Sequence, residues 1–294
     1  MFDRNENAVL TEDVFRLLRE LIRDYCGIYF DDGSRYLLEK RLSARLRANN
    51  ISNFRDYYRY LRYDGNRENE LAAVIDVLTV NETYFFREKN QLLSFSEEIL
   101  PELRERNRFS RKLRIWSAGC STGEEPYTIG MLVLDSNLFN GWDIEIIGSD
   151  INRRVLQAAR RGIYRNNSFR CIDDYYVEKY FEPLGDGSFR ITDRVKRLLN
   201  FGYLNLLDPV KMRFIGKTDV VFCRNALIYF DMQSRKKVVD GFYNVLAEGG
   251  YLLLGHAESL INMSTAFTLK HLRRDLVYQK PETSPQGITS CRKR

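Results

Sequence analysis

Apolar residues recur first at helical spacing and later in short continuous runs. Over residues 11–26, Val14, Leu17, Leu18, Leu21 and Ile22 form one face behind Thr11, a residue able to cap, and Cys26-Gly27 ends the pattern. A second helix is expected over 34–49, with Leu37, Leu38, Leu42 and Leu46 on one side and Arg41 and Arg45, four apart, sharing another. Residues 54–61 and 70–77 continue the helical spacing, so residues 1–78 read as a small all-α N-terminal domain followed by a linker over 79–95.

The period then changes. Strands are expected at 113–117, 144–148, 219–223, 251–254 and 277–278, and helices at 126–134, 151–161 and 233–246. Strands alternating with helices indicate a doubly wound, mostly parallel sheet, giving a Rossmann-like α/β domain over 96–280. Between about 164 and 203 the alternation breaks. Short strands at 189–191 and 198–202 and a Gly-Asp-Gly turn at 185–187 predict a small β-rich insertion. The polar, basic tail 281–294 is expected to be disordered.

Composition narrows the class. No run approaches the roughly 18 apolar residues that span a bilayer, and the acidic, polar start is unlike a secretory signal, so a cytoplasmic protein without membrane insertion is expected. The five cysteines are widely spaced and there are only two histidines, so no metal site is expected. The net charge of +6 is concentrated between residues 35 and 62, a bias that suits nucleic acid, a membrane surface or an acidic protein equally.

The candidate chemistry sits at strand ends. Trp116-Ser117-Ala118 runs into Gly119 and Gly123 and then a helix starting at Glu124-Glu125. In doubly wound folds ligands bind at this first strand-helix turn. The third glycine of a dinucleotide fingerprint is missing, which disfavours a nicotinamide dehydrogenase, and two carboxylates would repel a diphosphate. They would attract an ammonium group, such as that of S-adenosylmethionine. A plain turn whose acids favour the helix dipole accounts for the same residues. Asp150, ending the second strand, can accept from ribose hydroxyls or merely cap the next helix. Asn225 ends a third apolar strand and its amide can bond a ligand or serve a turn; Tyr229 follows one helical turn later and, taken alone, fits a packing role better. Cys120 and Cys223 fall at strand ends facing the same place, and His256 reads as a structural hydrogen-bonding residue.

Taken in order, Asn81, Thr83, Phe85-Phe86-Arg87-Glu88, Trp116-Ser117-Ala118 with Ser121-Thr122-Gly123-Glu124-Glu125-Pro126-Tyr127, Ser149-Asp150-Ile151, Asn205-Leu206-Leu207, Cys223-Arg224-Asn225 with Ile228-Tyr229-Phe230-Asp231, and Gly255-His256 with Glu258 resemble the CheR-type chemotaxis receptor methyltransferases over residues 11–280. The resemblance implies S-adenosylmethionine as cofactor, S-adenosylhomocysteine as product, and glutamate side chains of bacterial chemoreceptors as acceptors. It implies cofactor contacts from Asn81, Thr83, Arg87, Ala118, one of Glu124 and Glu125, Asp150, Asn205, Leu206, Asn225 and Ala226, with Arg87 and Tyr229 beside the transferred methyl group. Two positions depart from the family pattern. Ala226 stands where many members carry a larger apolar residue, and Gly119-Cys120 replaces an Ala-rich stretch. Neither change removes a donor or acceptor.

The reaction suits these residue types. A glutamate carboxylate is ionised near neutral pH, so no general base is needed. The site must mainly align oxygen, methyl and sulfur, with an approach of about 3 to 3.5 Å. Arg41, Arg45 and Arg47, with Arg35, can dock the acidic helices of a receptor cytoplasmic domain, or simply form a solvated face. The loop 182–188 is short, whereas some relatives hold a receptor C-terminal pentapeptide on a longer one, so no such tether is expected. A monomer that does not bind nucleic acid is expected. The alternatives are a methyltransferase acting on RNA or a small molecule, and a non-enzymatic cofactor- or receptor-binding protein. The first lacks the Asn-Pro-Pro-Tyr type motif, and the retained Arg87, Asp150, Asn225 and Tyr229 speak against the second.

Overall fold

The computed structural model describes residues 8–282. Helices Glu12–Cys26, Arg35–Ala48, Phe54–Tyr63 and Arg67–Leu78 form the N-terminal unit around a core that includes Phe15, Leu18, Leu42, Tyr57 and Val74. Two residues expected on the apolar faces lie outside it. The buried rows run through Leu18 and Ile22 and through Leu38, Leu42 and Leu46, and the helical step turns Leu17 (36% exposed) and Leu37 (39%) to solvent.

The basic helix is partly committed to its own domain. The Arg45 fork donates to Glu70 Oε1 and Oε2 at 2.9 and 2.6 Å, and the Tyr57 hydroxyl donates to Oε1 at 2.5 Å. Arg41 donates to the Leu78 carbonyl at the end of the fourth helix. These partners remove Arg41 and Arg45 from the set of free docking cations, because Arg45 is paired with a carboxylate and Arg41 is held by a main-chain carbonyl inside the domain. Arg47 and Arg35 remain exposed, Arg35 beside Glu12 at 3.7 Å.

The α/β domain holds β1 (Lys112–Ala118), β2 (Asp143–Asp150), β3 (Ile163–Tyr164), β4 (Phe181–Pro183), β5 (Phe189–Ile191), β6 (Leu199–Tyr203), β7 (Thr218–Cys223), β8 (Leu246–Leu254), β9 (Thr268–His271) and β10 (Leu276–Gln279). Seven make one sheet in the order β6-β2-β1-β7-β8-β10-β9, parallel except where β10 joins β8 and β9. Successive residues feed opposite layers. Ile115, Val220 and Phe222 pack with Tyr251 and Leu253 on one face, Trp116, Val221 and Cys223 with Leu252 and Leu254 on the other. Burial on both faces explains why these strands are continuous apolar runs.

Two features differ from the sequence expectation. The strand expected in the insertion at 198–202 is β6 of the large sheet, with Ile146 opposite Leu199 and Asp150 opposite Tyr203. The small sheet is only β3-β5-β4, its hairpin closed by the Leu184 N–H donating to the Ser188 carbonyl at 2.9 Å. The linker's extended part stops before Lys89, where helix Lys89–Ser94 begins and continues through a π-helical turn, Phe95–Ile99, into Leu100–Arg106. The wider turn accommodates Pro101, which has no N–H to donate and whose ring would crowd an α-helical carbonyl. No helix among the described residues is long and apolar enough to cross a membrane. The tail expected to be disordered lies, from residue 283, outside the described residues.

The two units meet at Gly27. It ends the first helix at φ +80°, and a Cβ there would collide with the Phe230 ring. Beside it, Tyr29 N–H donates to the Tyr229 carbonyl at 2.9 Å and Asn205 Nδ2 to the Tyr25 carbonyl at 2.6 Å. Gly27→Ala is therefore expected to destabilise the protein by about 2 kcal/mol, combining left-handed strain with overpacking. Urea unfolding followed by circular dichroism reads this, and a variant as stable as the parent would contradict the packed junction.

Candidate functional site

The sheet reverses its winding between β1 and β7, since β2 and β6 extend it one way and β7 and β8 the other. A crevice opens outside the carboxyl ends of strands at such a switch point. Here it is closed above by the linker and by the Cys26–Ile28 end of the helical unit, enclosing about 1260 Å³ of space, part of it open to solvent.

The loop after β1 is drawn against β2. Gly119 and Cys120 N–H groups both donate to the Ser149 carbonyl, at 2.8 and 2.9 Å, and the Trp116 indole donates to Ser149 Oγ at 2.9 Å. Gly119 (φ +81°) brings the backbone close to Ala226, and Gly123 (φ +96°) turns the chain into helix Glu124–Asp135. Asp150, at the end of β2, accepts from Ser121 N–H and Asn152 N–H, each at 2.8 Å, which leaves lone pairs on both oxygens. Burial pushes its carboxyl above the ordinary range.

The two glutamates that start the helix diverge. Glu125 lines the cleft, accepting from Ser117 Oγ at 2.7 Å with Arg224 Nη1 at 3.4 Å. Glu124 points away and accepts from Thr122 and Ser168 hydroxyls at 2.6 and 2.9 Å. Burial raises both carboxyls, opposed by the Arg224 charge for Glu125 and first by the Thr122 bond for Glu124.

Asn225 follows β7 in the left-handed region at φ +59°, a conformation asparagine tolerates better than most residues. Its Nδ2 lies 3.3 Å from Glu88 Oε1, and its buried Oδ1 has no partner among the described residues. A buried acceptor on a cleft wall calls for a ligand N–H or a water. Tyr229 lines the mouth, as does half-buried Arg87, which donates to the Glu82 carbonyl at 2.8 Å and lies 5.7 Å from the Tyr84 ring centre.

The cleft thus gathers Asn81, Thr83, Arg87, Glu125, Asp150, Asn205, Leu206, Asn225, Ala226 and Tyr229. It leaves out three residues expected at it. Ala118 and Cys223 point into the sheet's packed layer, because the strand pleat turns them away, and Glu124 serves the turn. Cys120 lines the cleft, and burial pushes its thiol well up. Exposed His256 makes no hydrogen bond among the described residues that would give it the expected structural role.

Sequence reasoning gave no role to Arg224, Glu88 and Glu258. Arg224 is buried between Glu88 Oε2 at 3.2 Å and Glu125 Oε2 at 3.4 Å and donates to the Arg87 carbonyl. Burial alone would raise Glu88, but the Arg224 charge, His256 and hydrogen bonds to Arg224 and Asn225 hold its carboxyl below the ordinary range. The usable signal was an arginine ending a fully apolar strand, which demands buried carboxylates elsewhere. Among the described residues no His, Cys, Asp and Glu cluster could hold a metal ion.

Comparison with known proteins agrees with this layout. Residues 13–79 match the family described as CheR methyltransferase, all-alpha domain, and residues 81–275 that described as CheR methyltransferase, SAM binding domain. The chain is 42% identical to chemotaxis protein methyltransferase 2 of Vibrio cholerae, covering 93% of this chain and 94% of that one. It is 37% identical to a chemotaxis protein methyltransferase of Borreliella burgdorferi, covering 87% and 91%. A magnesium protoporphyrin IX methyltransferase from Synechocystis, 14% identical with a TM-score of 0.35 over 75% of this chain and 93% of its own, is too loosely similar to add to this.

The divergence of the two glutamates is testable. Glu125→Gln should weaken S-adenosylhomocysteine binding about tenfold, the worth of one charged hydrogen bond. Glu124→Gln should change it less than about twofold and instead lower the melting temperature. Titration calorimetry with thermal melts decides, and the reverse ranking would put Glu124 at the ligand.

Proposed function

The chain belongs to the CheR methyltransferase family, and from that premise we propose that its cleft esterifies glutamate side chains of bacterial chemoreceptors. The protein is an S-adenosylmethionine-dependent chemoreceptor methyltransferase. The observation that carries this reading is the match of both family domains, in order, on either side of a cleft that closes at their seam.

The residues present fit the cofactor. The Asn225 Oδ1 acceptor suits an adenine amine, the free lone pairs of Asp150 suit ribose hydroxyls, and Glu125 suits an amino-acid ammonium. Asn205 and Leu206 flank the same wall, and Asn81 and Thr83 contribute from the linker. When bound, S-adenosylmethionine supplies a methyl group already activated by the sulfonium. The chain's own residues then have to bind and orient the acceptor carboxylate and exclude water. Arg87 orients the carboxylate by a charge-assisted bond and Tyr229 donates a second hydrogen bond. Neither removes a proton, since the glutamate enters ionised.

Arg47 and Arg35 are the cations of the second helix proposed to meet the acidic receptor bundle. The protein is proposed to act in the cytoplasm as a monomer, without nucleic acid and without a pentapeptide tether on the short 184–188 hairpin.

The decisive experiment is methyl transfer from radiolabelled S-adenosylmethionine to membranes carrying chemoreceptors, followed by alkali. Label released as volatile methanol establishes a carboxyl methyl ester; alkali-stable label would point to another acceptor. In the same assay Arg87→Ala is expected to lower kcat about 100-fold, in the range lost with a single charge-stabilising donor, while cofactor affinity falls far less. Unchanged turnover would remove Arg87 from the reacting centre. Raising salt from about 50 to about 300 mM, which shortens the Debye length by about 60%, should raise KM for the receptor but not for the cofactor. A receptor C-terminal pentapeptide should give no binding heat; tight binding would restore the tether.

A further inference from the structure

Glu258 is half-buried and does not itself line the cleft, yet it accepts main-chain hydrogen bonds from both arms of the loop after β7. Its Oε2 accepts from Asn225 N–H and Gly255 N–H, each at 2.8 Å, and its Oε1 accepts from Ile228 N–H at 3.2 Å. The segment gripped this way begins with Asn225, in the left-handed region with its Oδ1 unpartnered, and runs to Tyr229 at the cleft mouth. The packing leaves no slack. A Cβ on Gly255 would lie 2.8 Å from Asn225 Nδ2, 2.9 Å from Asn225 N and 2.9 Å from Glu258 Oε2.

We propose that Glu258 is a positioning residue: its carboxylate fixes the Asn225 turn so that the Asn225 amide presents its acceptor to the cofactor. This rests on the cofactor reading above. The physical argument is that a left-handed, non-glycine residue is held only when its surroundings over-determine it. Asn225 has one main-chain donor and Glu258 satisfies it, while the bonds to Gly255 and Ile228 tie the turn to the end of β8 and to the short helix Leu227–Tyr229. A carboxylate suits the task because all three partners are donors. A glutamine of the same shape would turn its own N–H group toward at least one of them.

The test is a double-mutant cycle read by calorimetry of S-adenosylhomocysteine binding to the full chain, which needs no acceptor. Glu258→Gln is expected to raise Kd about tenfold, as for loss of a hydrogen bond to a charged group. If Glu258 acts through Asn225, the same change in an Asn225→Ala background should cost less than about twofold. A purely structural Glu258 would instead lower the melting temperature and add its full penalty in both backgrounds. Additive penalties, or a Glu258→Gln Kd within about twofold of the parent, would overturn the proposal. Should Glu258→Gln fail to fold, Gly255→Ala perturbs the same turn from the other side and is expected to show the same dependence on Asn225. Absence of binding by the parent chain would refute the cofactor reading itself, so the two failures are distinguishable.

Discussion

A single buried cation organises the cleft. Arg224 ends an apolar strand, and an unpaired guanidinium there would carry a desolvation cost of several kcal/mol. The chain meets this by bringing Glu88 from the linker and Glu125 from the helix after β1 to either side of it. Three separate stretches are thereby tied at one point. The linker must bend sharply to comply, and it does so with Phe86 and Glu88 both at positive φ (+59° and +55°). Those two strained residues bracket Arg87, so its backbone is set by the demand for charge compensation at Arg224, whose guanidinium also binds the Arg87 carbonyl. The Arg87 side chain itself lines the cleft, with its guanidinium donating to the Glu82 carbonyl.

The second constraint is steric. The helical unit approaches closely enough for Ile28 to pair with Phe230 and for Cys26 to line the cleft, which requires a residue without a Cβ at position 27. On the opposite side, Asn152 caps helix Arg153–Arg161 through Oδ1 and donates from Nδ2 to Thr79 Oγ1 at 2.8 Å. One asparagine thus anchors the start of the linker two residues beyond Asp150. The helical unit is a wall of the cleft as well as a module beside it, and the cleft's volume depends on both anchors.

Much of this was legible in the residues. Helix and strand identities followed from period, because both layers of the sheet and the helical core bury their residues in regular rows. The strand-end polar residues Asp150 and Asn225 were found because polar side chains interrupting apolar runs are conspicuous. What escaped depends on partners distant in sequence. Glu124 and Glu125 are chemically identical neighbours, and only the turn that gives Glu124 to Ser168 separates them. Arg41 and Arg45 looked like a free basic face because their partners, Leu78 and Glu70, lie more than one helix away. The β6 strand was misassigned to the insertion since periodicity reports that a segment is extended, not which sheet it joins.

Charge balance links the two ligands. Glu125 and Asp150 place carboxylates in the interior of the cleft, and Arg224 is already occupied between Glu125 and Glu88. Such an interior favours a cation, which the ammonium and sulfonium of the cofactor supply. It also opposes a carboxylate, which the acceptor must bring in. The residues proposed to bind the first ligand would therefore repel the second unless a cation stood at the boundary. Arg87 lines the cleft with Tyr229, held by the Glu82 carbonyl and 5.7 Å from the Tyr84 ring centre. A cation bound in the cleft would lower the negative potential that an incoming carboxylate meets, so the two ligands are linked through the same charges.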